Sequence, residues 1–251
     1  FRRTPRPPEG VDSDPGLSVT PDRRLVATYR FGGKLQVARG APGRRWTKPR
    51  AVRAGSGHVD LSRLAFAPNG DALLTVLTTA RDTTHRLYAA WARRGRGFGR
   101  LRLVDRTSTE LTVQGASLDR RGRATIVWQS GEHDIHVRRA RFGGRFRRAW
   151  DTVRAQRAFY VEAEPAPAGG AVITWQETPE EFGTNTIRAA FVGAGPAREQ
   201  LVASTGESRT TFYSPRLHTA AGHVALAWVQ NHFAARGGRE RAELHAAVLR
   251  P

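Results

Sequence analysis

The feature of this sequence that most constrains its fold is a short alternating motif that recurs five times, about 50 residues apart. The five copies are Leu25–Tyr29, Ala72–Val76, Ala124–Trp128, Ala171–Trp175 and Val224–Trp228. Each copy alternates along its length and ends in an aromatic or large apolar residue. A repeat of this length that contains only strands is typical of a radial array of small sheets, so the sequence predicts an all-β propeller.

Each repeat predicts four strands, which we name A to D, with the recurrent motif as strand B. A short strand and a turn rich in Gly, Asn and Asp precede it, as in Leu64–Asp71, because these residues tolerate the positive φ of hairpin turns. A loop then leads to strand C, as in Ile135–Arg139, and a Gly-rich turn leads to strand D. Four antiparallel strands are the blade of a propeller.

The ends of the chain predict five blades in one domain over residues 1–251. The last repeat stops after strand C, and the opening residues FRRTP resemble FRRAW at Phe146–Trp150, the approach to a strand D. We therefore expect an N-terminal strand within residues 1–11 to close the ring against the last blade, which leaves no long open edge. The alternative is a fragment of a six- or seven-bladed propeller. The predicted blade repeats are 14–55, 60–106, 112–156, 160–205 and 212–251.

The recurrent aromatic residues at the end of strand B have two interpretations. Strand B is apolar on both faces in most repeats, which is typical of a strand buried on both sides. We interpret Trp128, Trp175 and Trp228 as core residues packed between neighbouring blades. The alternative, an aromatic platform for sugars or bases, does not require recurrence at one strand position.

Charge is the strongest compositional signal. The formal net charge is +19, and only Lys34 and Lys48 among the 41 basic residues are lysine. Arginine forks pair well with phosphate, sulfate and carboxylate, so an anionic polymer is one candidate partner, and nonspecific attraction to nucleic acid is expected. Codon bias in a GC-rich genome is the alternative source of the arginine. The chain has no cysteine, which excludes disulfides and thiolate catalysis, and no apolar run long enough to span a membrane.

The loops between strands B and C differ most among the repeats, and variable loops on a constant scaffold commonly carry function. In a propeller these loops share one face with the connections from strand D to the next strand A, so we predict a ligand site on that face. The candidate ligand-binding residues are Arg81, His85, Gln129, His133, Gln176, Glu177, Tyr213, Gln230 and His232.

A glycoside hydrolase is the enzymatic alternative, because such enzymes use two or three carboxylates around a central site. Asp14, Asp60 and Glu162 enter strand A of three different repeats and are the candidate catalytic residues. No cofactor is predicted. No metal site is predicted either, since His133 and His136, three residues apart on an extended segment, point to opposite sides.

The segment LDRRGRATIVWQSGEHDIHVRRARFGGRF, at Leu118–Phe146, carries the repeat pattern most completely. It resembles the propeller repeats of secreted actinobacterial proteins that are called sialidase-like on fold alone. The S-x-D-x-G-x-x-W box of sialidases is missing from the turns at Leu118–Trp128 and Ala67–Val76. The resemblance implies a propeller and an exported, extracytoplasmic protein, and it assigns no catalytic residue.

These observations favour a binding module that recognises a glycan or another extracellular polymer through the B–C loop face. A glycoside hydrolase that uses the strand A carboxylates is the second hypothesis. A structural interaction domain of a larger protein is the third. The sequence gives no indication of an oligomeric state.

Overall fold

The computed structural model contains five antiparallel sheets that follow one another along the chain. It describes residues 16–41, 44–53, 57–131, 133–146, 151–167, 169–178, 184–193, 197–205, 210–220, 222–233 and 240–250. Within those residues there is no helix. The first four sheets have four strands each and the fifth has three, and within each sheet every strand is hydrogen-bonded to its sequence neighbours. The predicted all-β fold with five propeller blades is therefore confirmed.

The strands have the following bounds. Blade one contains β1 (Gly16–Val19), β2 (Leu25–Phe31), β3 (Lys34–Gly40) and β4 (Arg50–Val52). Blade two contains β5 (His58–Phe66), β6 (Ala72–Thr79), β7 (His85–Ala92) and β8 (Arg102–Thr107). Blade three contains β9 (Leu111–Leu118), β10 (Arg123–Ser130), β11 (His133–Arg141) and β12 (Asp151–Gln156). Blade four contains β13 (Ala158–Pro165), β14 (Ala171–Glu177), β15 (Thr186–Val192) and β16 (Arg198–Ser204). Blade five contains β17 (Thr210–Ala220), β18 (His223–His232) and β19 (Arg241–Leu249).

The chain divides into two compact units. The first unit holds blades one and two together with residues 120–122 and 141–145, and the second holds the rest of blade three with blades four and five. The single domain over residues 1–251 and the blade boundaries given above stay predictions. The closing strand also stays a prediction, because residues 1–11 lie outside the described residues.

The second strand of each blade forms the core, as its apolar pattern predicts. Tyr29, Val76, Trp128, Trp175 and Trp228 are all buried, which confirms that the recurrent aromatic position is a packing position. In the first unit Leu35 and Val76 belong to one apolar cluster. In the second unit one cluster contains Trp175 and another contains Trp228. Each cluster joins two consecutive blades, and β14 is covered on both faces, since Ile173 belongs to one cluster and Val172 to the other.

Candidate functional site

The first strand of several blades carries a β-bulge near its beginning. The register shifts between Val59 and Leu61 in β5, between Phe159 and Glu162 in β13, and between Tyr213 and Arg216 in β17. A bulge inserts an unpaired residue, bends the strand and re-aims the neighbouring side chains. In blades two, four and five the end of the blade where strand B finishes therefore presents side chains that a regular ladder would direct elsewhere.

Two of these bulged strands, β13 and β17, are joined through a carboxylate in the second unit. Arg216 Nη1 donates a hydrogen bond of 2.7 Å to Glu162 Oε1. The backbone N–H of Leu217 donates another, also of 2.7 Å, to Glu162 Oε2. A carboxylate that accepts a backbone N–H and a guanidinium N–H is stabilised in its ionised form. Glu162 thus acts as a charged link between the first strands of blades four and five.

Glu164 follows Glu162 two residues later on β13, so both side chains lie on the same face of the strand. Burial, reinforced by the neighbouring charge of Glu162, raises the pKa of Glu164 from 4.5 to about 7. The two carboxyl groups therefore differ in protonation near neutral pH. We call Glu162, Glu164 and Arg216 the acidic cluster.

Gly115 of β9 permits the close approach of blade three to this strand. A Cβ atom at Gly115 would lie 3.1 Å from the backbone N of Ala163 and 3.2 Å from the carbonyl carbon of Glu162. It would also lie 2.8 Å from Cγ2 of Val127. No larger residue fits without displacing β13, so the small residue fixes the backbone that carries the acidic cluster.

Exposed aromatic side chains accompany the acidic cluster. Phe159 and Tyr160 are each 46% exposed on β13, and Tyr213 is 39% exposed on β17. Tyr160 has a φ of 50°, an uncommon conformation for a residue with a large side chain. Strained backbone of this kind concentrates at ligand sites, where the surrounding structure maintains it.

Strand B of blade four ends in a buried polar group. The indole N–H of Trp175 donates a 3.0 Å hydrogen bond to Glu177 Oε1, and Arg188 Nε lies 2.7 Å from Glu177 Oε2 in an ion pair. Gln176, which lies between Trp175 and Glu177 in the sequence, is 5% exposed. Its Oε1 accepts no hydrogen bond from the described part of the chain. A buried acceptor of this kind is costly unless a water or a ligand satisfies it.

The remaining candidate ligand residues fall into both units. In the second unit Gln129 is buried, Gln230 is half-buried, and His232 Nδ1 lies 3.2 Å from Thr210 Oγ1. The side chain of His133 lies outside the described residues. The ligand-binding role of all nine residues stays a prediction.

In the first unit a polar chain links Asp60 to His85. Thr79 Oγ1 donates a 2.7 Å hydrogen bond to Asp60 Oδ2 and lies 3.0 Å from His85 Nδ1. Because the Thr79 hydroxyl has one proton and gives it to Asp60, Nδ1 of His85 must be the donor of the second bond. Arg81, in the loop between β6 and β7, is exposed. Thr79 thus links Asp60, a candidate catalytic residue of the hydrolase hypothesis, to His85, a candidate ligand-binding residue.

The predicted catalytic trio stays a prediction. Asp14 lies outside the described residues, Asp60 belongs to the first unit, and Glu162 belongs to the second. Sequence reasoning missed Glu164 and Arg216. The segment Val161–Glu164 alternates apolar and acidic residues, a signal that could have placed both carboxylates on one face.

The described residues also bear on metal binding and on membrane insertion. In that part of the chain no group of three or more His, Asp or Glu side chains could hold a metal ion. The same residues contain no helix long and apolar enough to cross a bilayer.

Comparison with known proteins yields structural likeness only. No protein-family model and no curated protein sequence matches the chain. The endo-arabinase from Bacteroides thetaiotaomicron VPI-5482 has a TM-score of 0.56 at 10% identity, with 96% of each chain covered. The polysaccharide lyase Uly1 has a TM-score of 0.55 at 10% identity, and the Hadza microbial sialidase Hz136 has 0.55 at 13%.

The extent of these likenesses differs. The match covers 93% of this chain and 57% of the lyase, and 86% of this chain and 49% of the sialidase. The chain therefore spans about half the length of those two proteins, and nearly all of the arabinase. At such low identity the comparisons show the fold. This is the all-β propeller that the repeats predicted.

Proposed function

We propose that the protein is an exported module that binds a glycan at the end of blades four and five where Phe159, Tyr160 and Tyr213 are exposed. The observation that carries the proposal is the pairing of these aromatic rings with the ionised Glu162–Arg216 link on the same two strands. Rings with an apolar face can stack on the apolar face of a sugar, and the phenol groups can bond to hydroxyls. Charged groups beside them supply the few directional contacts that fix orientation.

The names of the similar structures support a carbohydrate ligand. The three structures described above are an arabinase, a polysaccharide lyase and a sialidase, and a further match is a β-xylosidase/α-arabinofuranosidase with a TM-score of 0.51 at 9% identity. All four names describe enzymes that act on carbohydrate. One fold hosts many functions, so the proposal for this chain depends on its own aromatic and acidic residues.

A glycan array followed by calorimetry tests the binding proposal. We expect Y160A and Y213A each to weaken the affinity for the best array ligand by about tenfold, the effect of removing one good contact of about 1.4 kcal/mol. F31A is the matched control, because Phe31 is a similarly exposed ring in the first unit. Failure of every neutral and acidic glycan to bind, or equal losses in F31A, would contradict the proposal.

A glycoside hydrolase is the second candidate function, and the raised pKa of Glu164 favours it. Retaining and inverting glycosidases use one protonated and one ionised carboxyl group. A pKa of about 7 leaves a large fraction of Glu164 protonated near neutral pH, so Glu164 could serve as general acid and Glu162 as base or nucleophile. Asp60 and Asp14 remain the other proposed carboxylates of this hypothesis.

A panel of chromogenic glycosides tests the enzymatic alternative. If Glu164 is the acid, the rate should fall as the pH rises through about 7, and E164Q should lose at least about a hundredfold in kcat. E199Q is the control, because Glu199 is an exposed glutamate on β16 of the same blade. Binding without turnover in the panel would leave the module as a glycan receptor and reject hydrolysis.

A further inference from the structure

A second charged region lies in the first unit, in a cleft of about 740 Å³ between blades one and two. The cleft is lined by β2, β3 and the turns of both blades. Five arginines and one aspartate are the charged residues of its lining: Arg24, Arg39, Arg44, Arg45, Arg94 and Asp22. We call this region the arginine cleft. Its lining carries a net charge of +4, in a concavity of the size that holds small ligands.

Asp22, the carboxylate of the cleft lining, is already engaged. Its Oδ1 accepts a 2.5 Å hydrogen bond from Thr20 Oγ1, and its Oδ2 lies 3.5 Å from both Arg24 Nε and Arg94 Nη2. The Thr20 hydroxyl and the two guanidinium groups hold the pKa of Asp22 below its ordinary value. Both ion pairs are long, and Asp22 offsets only one of the five positive charges.

The other three arginines leave positive charge in place. Arg39 is half-buried, and its pKa is lowered by burial and by the charges of Arg24 and Arg50. Guanidinium groups nevertheless stay protonated in proteins, so this repulsion is not relieved by losing a proton. Arg44 and Arg45 are exposed on the rim. A bound anion is the way to compensate such a group of cations without rearranging the fold.

Gly70 and a set of small apolar residues shape the cleft. A Cβ atom at Gly70 would lie 2.8 Å from Cγ of Arg94, and the φ of +88° there is a conformation that favours glycine. The stem of Arg94 can therefore lie directly over the turn of blade two. Val26 and Ala72 are buried beneath and provide an apolar floor. The cleft thus combines an apolar base with a ring of guanidinium groups.

We propose that the arginine cleft is a second binding site, for an oligosaccharide that carries sulfate or carboxylate groups. Guanidinium forks bind such oxoanions through two parallel hydrogen bonds, and the apolar floor suits the face of a sugar ring. That the ligand is a sugar rests on the proposed function. That it is anionic rests on the cleft alone. A concavity of this limited size favours a short anionic segment over duplex nucleic acid, which needs an extended basic surface.

Calorimetry on the full chain tests the site with a heparin-derived tetrasaccharide, tetragalacturonate and uncharged cellotetraose. Either acidic tetrasaccharide should bind while cellotetraose does not, and the comparison of the two distinguishes sulfate from carboxylate. The double variant R44Q/R45Q should weaken binding by about fivefold or more at low salt, since charge-assisted contacts are lost. R63Q/R106Q is the matched control, because Arg63 and Arg106 are exposed in the same unit and carry the same charge.

A variant that should gain affinity distinguishes specific binding at the cleft from nonspecific attraction to a basic protein. D22N keeps an acceptor for Thr20 but removes the negative charge from the lining, so it should strengthen binding by about threefold or more. Equal losses in R44Q/R45Q and R63Q/R106Q, or no gain in D22N, would overturn the proposal in favour of nonspecific attraction. So would tighter binding of a short DNA duplex than of both tetrasaccharides. Y160A should not change binding at the cleft, so failure of the aromatic site leaves this test intact.

Discussion

The acidic cluster of blades four and five and the arginine cleft of blades one and two both bring groups of like charge together, and they differ in how the repulsion between those groups is relieved. In the acidic cluster one carboxylate is paired with Arg216, and the other has its pKa raised to about 7 and can take up a proton. In the arginine cleft five guanidinium groups face one carboxylate, and none of them can give up its charge near neutral pH.

This difference determines which chemistry each region can perform. A carboxyl group whose pKa is raised to about 7, such as Glu164, can exchange a proton with a ligand near neutral pH, which suits acid–base chemistry. A group of arginines has no such freedom, and it can only attract and orient an anion. Substitutions that alter one region at a time can test this contrast.

The substitution E164Q should remove a pH-dependent loss of stability from the second unit. The unfolded Glu164 releases its proton near pH 4.5 and the folded one near 7. The native state therefore binds more protons between these values, and the free energy of unfolding falls as the pH rises through that window. Above it the loss amounts to about 3 kcal/mol. E164Q should thus be more stable than the wild type at about pH 8 by up to that amount, and similar at about pH 4.

Urea denaturation at several pH values measures this effect, with E199Q as the control. Glu199 is exposed, so its substitution should leave the pH dependence between 4.5 and 7 unchanged. If the wild type shows no fall of stability in that window, Glu164 is not held in a protonated form. The contrast between the two charged regions would then lose its basis.

The substitution G115A tests whether the acidic cluster depends on close strand packing. The new Cβ would overlap Val127 and approach the backbone of Ala163 and Glu162, so β13 must move. We expect a loss of about 1–3 kcal/mol in the free energy of unfolding, the usual cost of overpacking. G193A is the control, since a Cβ at Gly193 meets nothing within 4 Å. Similar losses in both variants would show that the approach of β9 to β13 is not tight.

The fold could be predicted from the sequence because its cause is local and repeated. The large residue at the end of strand B is buried in each repeat, so Trp128, Trp175 and Trp228 recur at one position and reveal the period. The turns are also local: Gly70 and Gly122 have positive φ, as the Gly-rich turn pattern predicts. Residues 1–11 illustrate the limit: the resemblance of FRRTP to FRRAW predicts a closing strand there, and these residues lie outside the described residues.

The candidate sites could be predicted only in outline. Side chains at a bulge do not follow the period of two, so the contact of Glu162 with Arg216, 54 residues away, is invisible in the sequence. The arginine cleft was hidden for another reason. Arginine is abundant throughout the chain, and its members Arg24 and Arg94 become neighbours only through Asp22 and the packing of two blades. Composition shows the excess of charge but not where it converges.

The smallest expected effects have opposite signs in the two regions. R216Q removes the partner of Glu162 from a largely exposed ion pair and should lower the free energy of unfolding by about 0.2–1 kcal/mol. R39Q removes a half-buried cation beside Arg24 and Arg50 together with its hydrogen bond to the backbone carbonyl of Arg96. It should raise the free energy of unfolding by a few tenths of a kcal/mol at most, because the relief of repulsion and desolvation exceeds the lost bond only slightly. Urea titrations at low salt and at about 1 M NaCl measure both, and salt should shrink the difference by screening. If R39Q destabilises as much as R216Q at low salt, Arg39 makes a net favourable contact in the unliganded cleft. Its charge would then need no anion to compensate it.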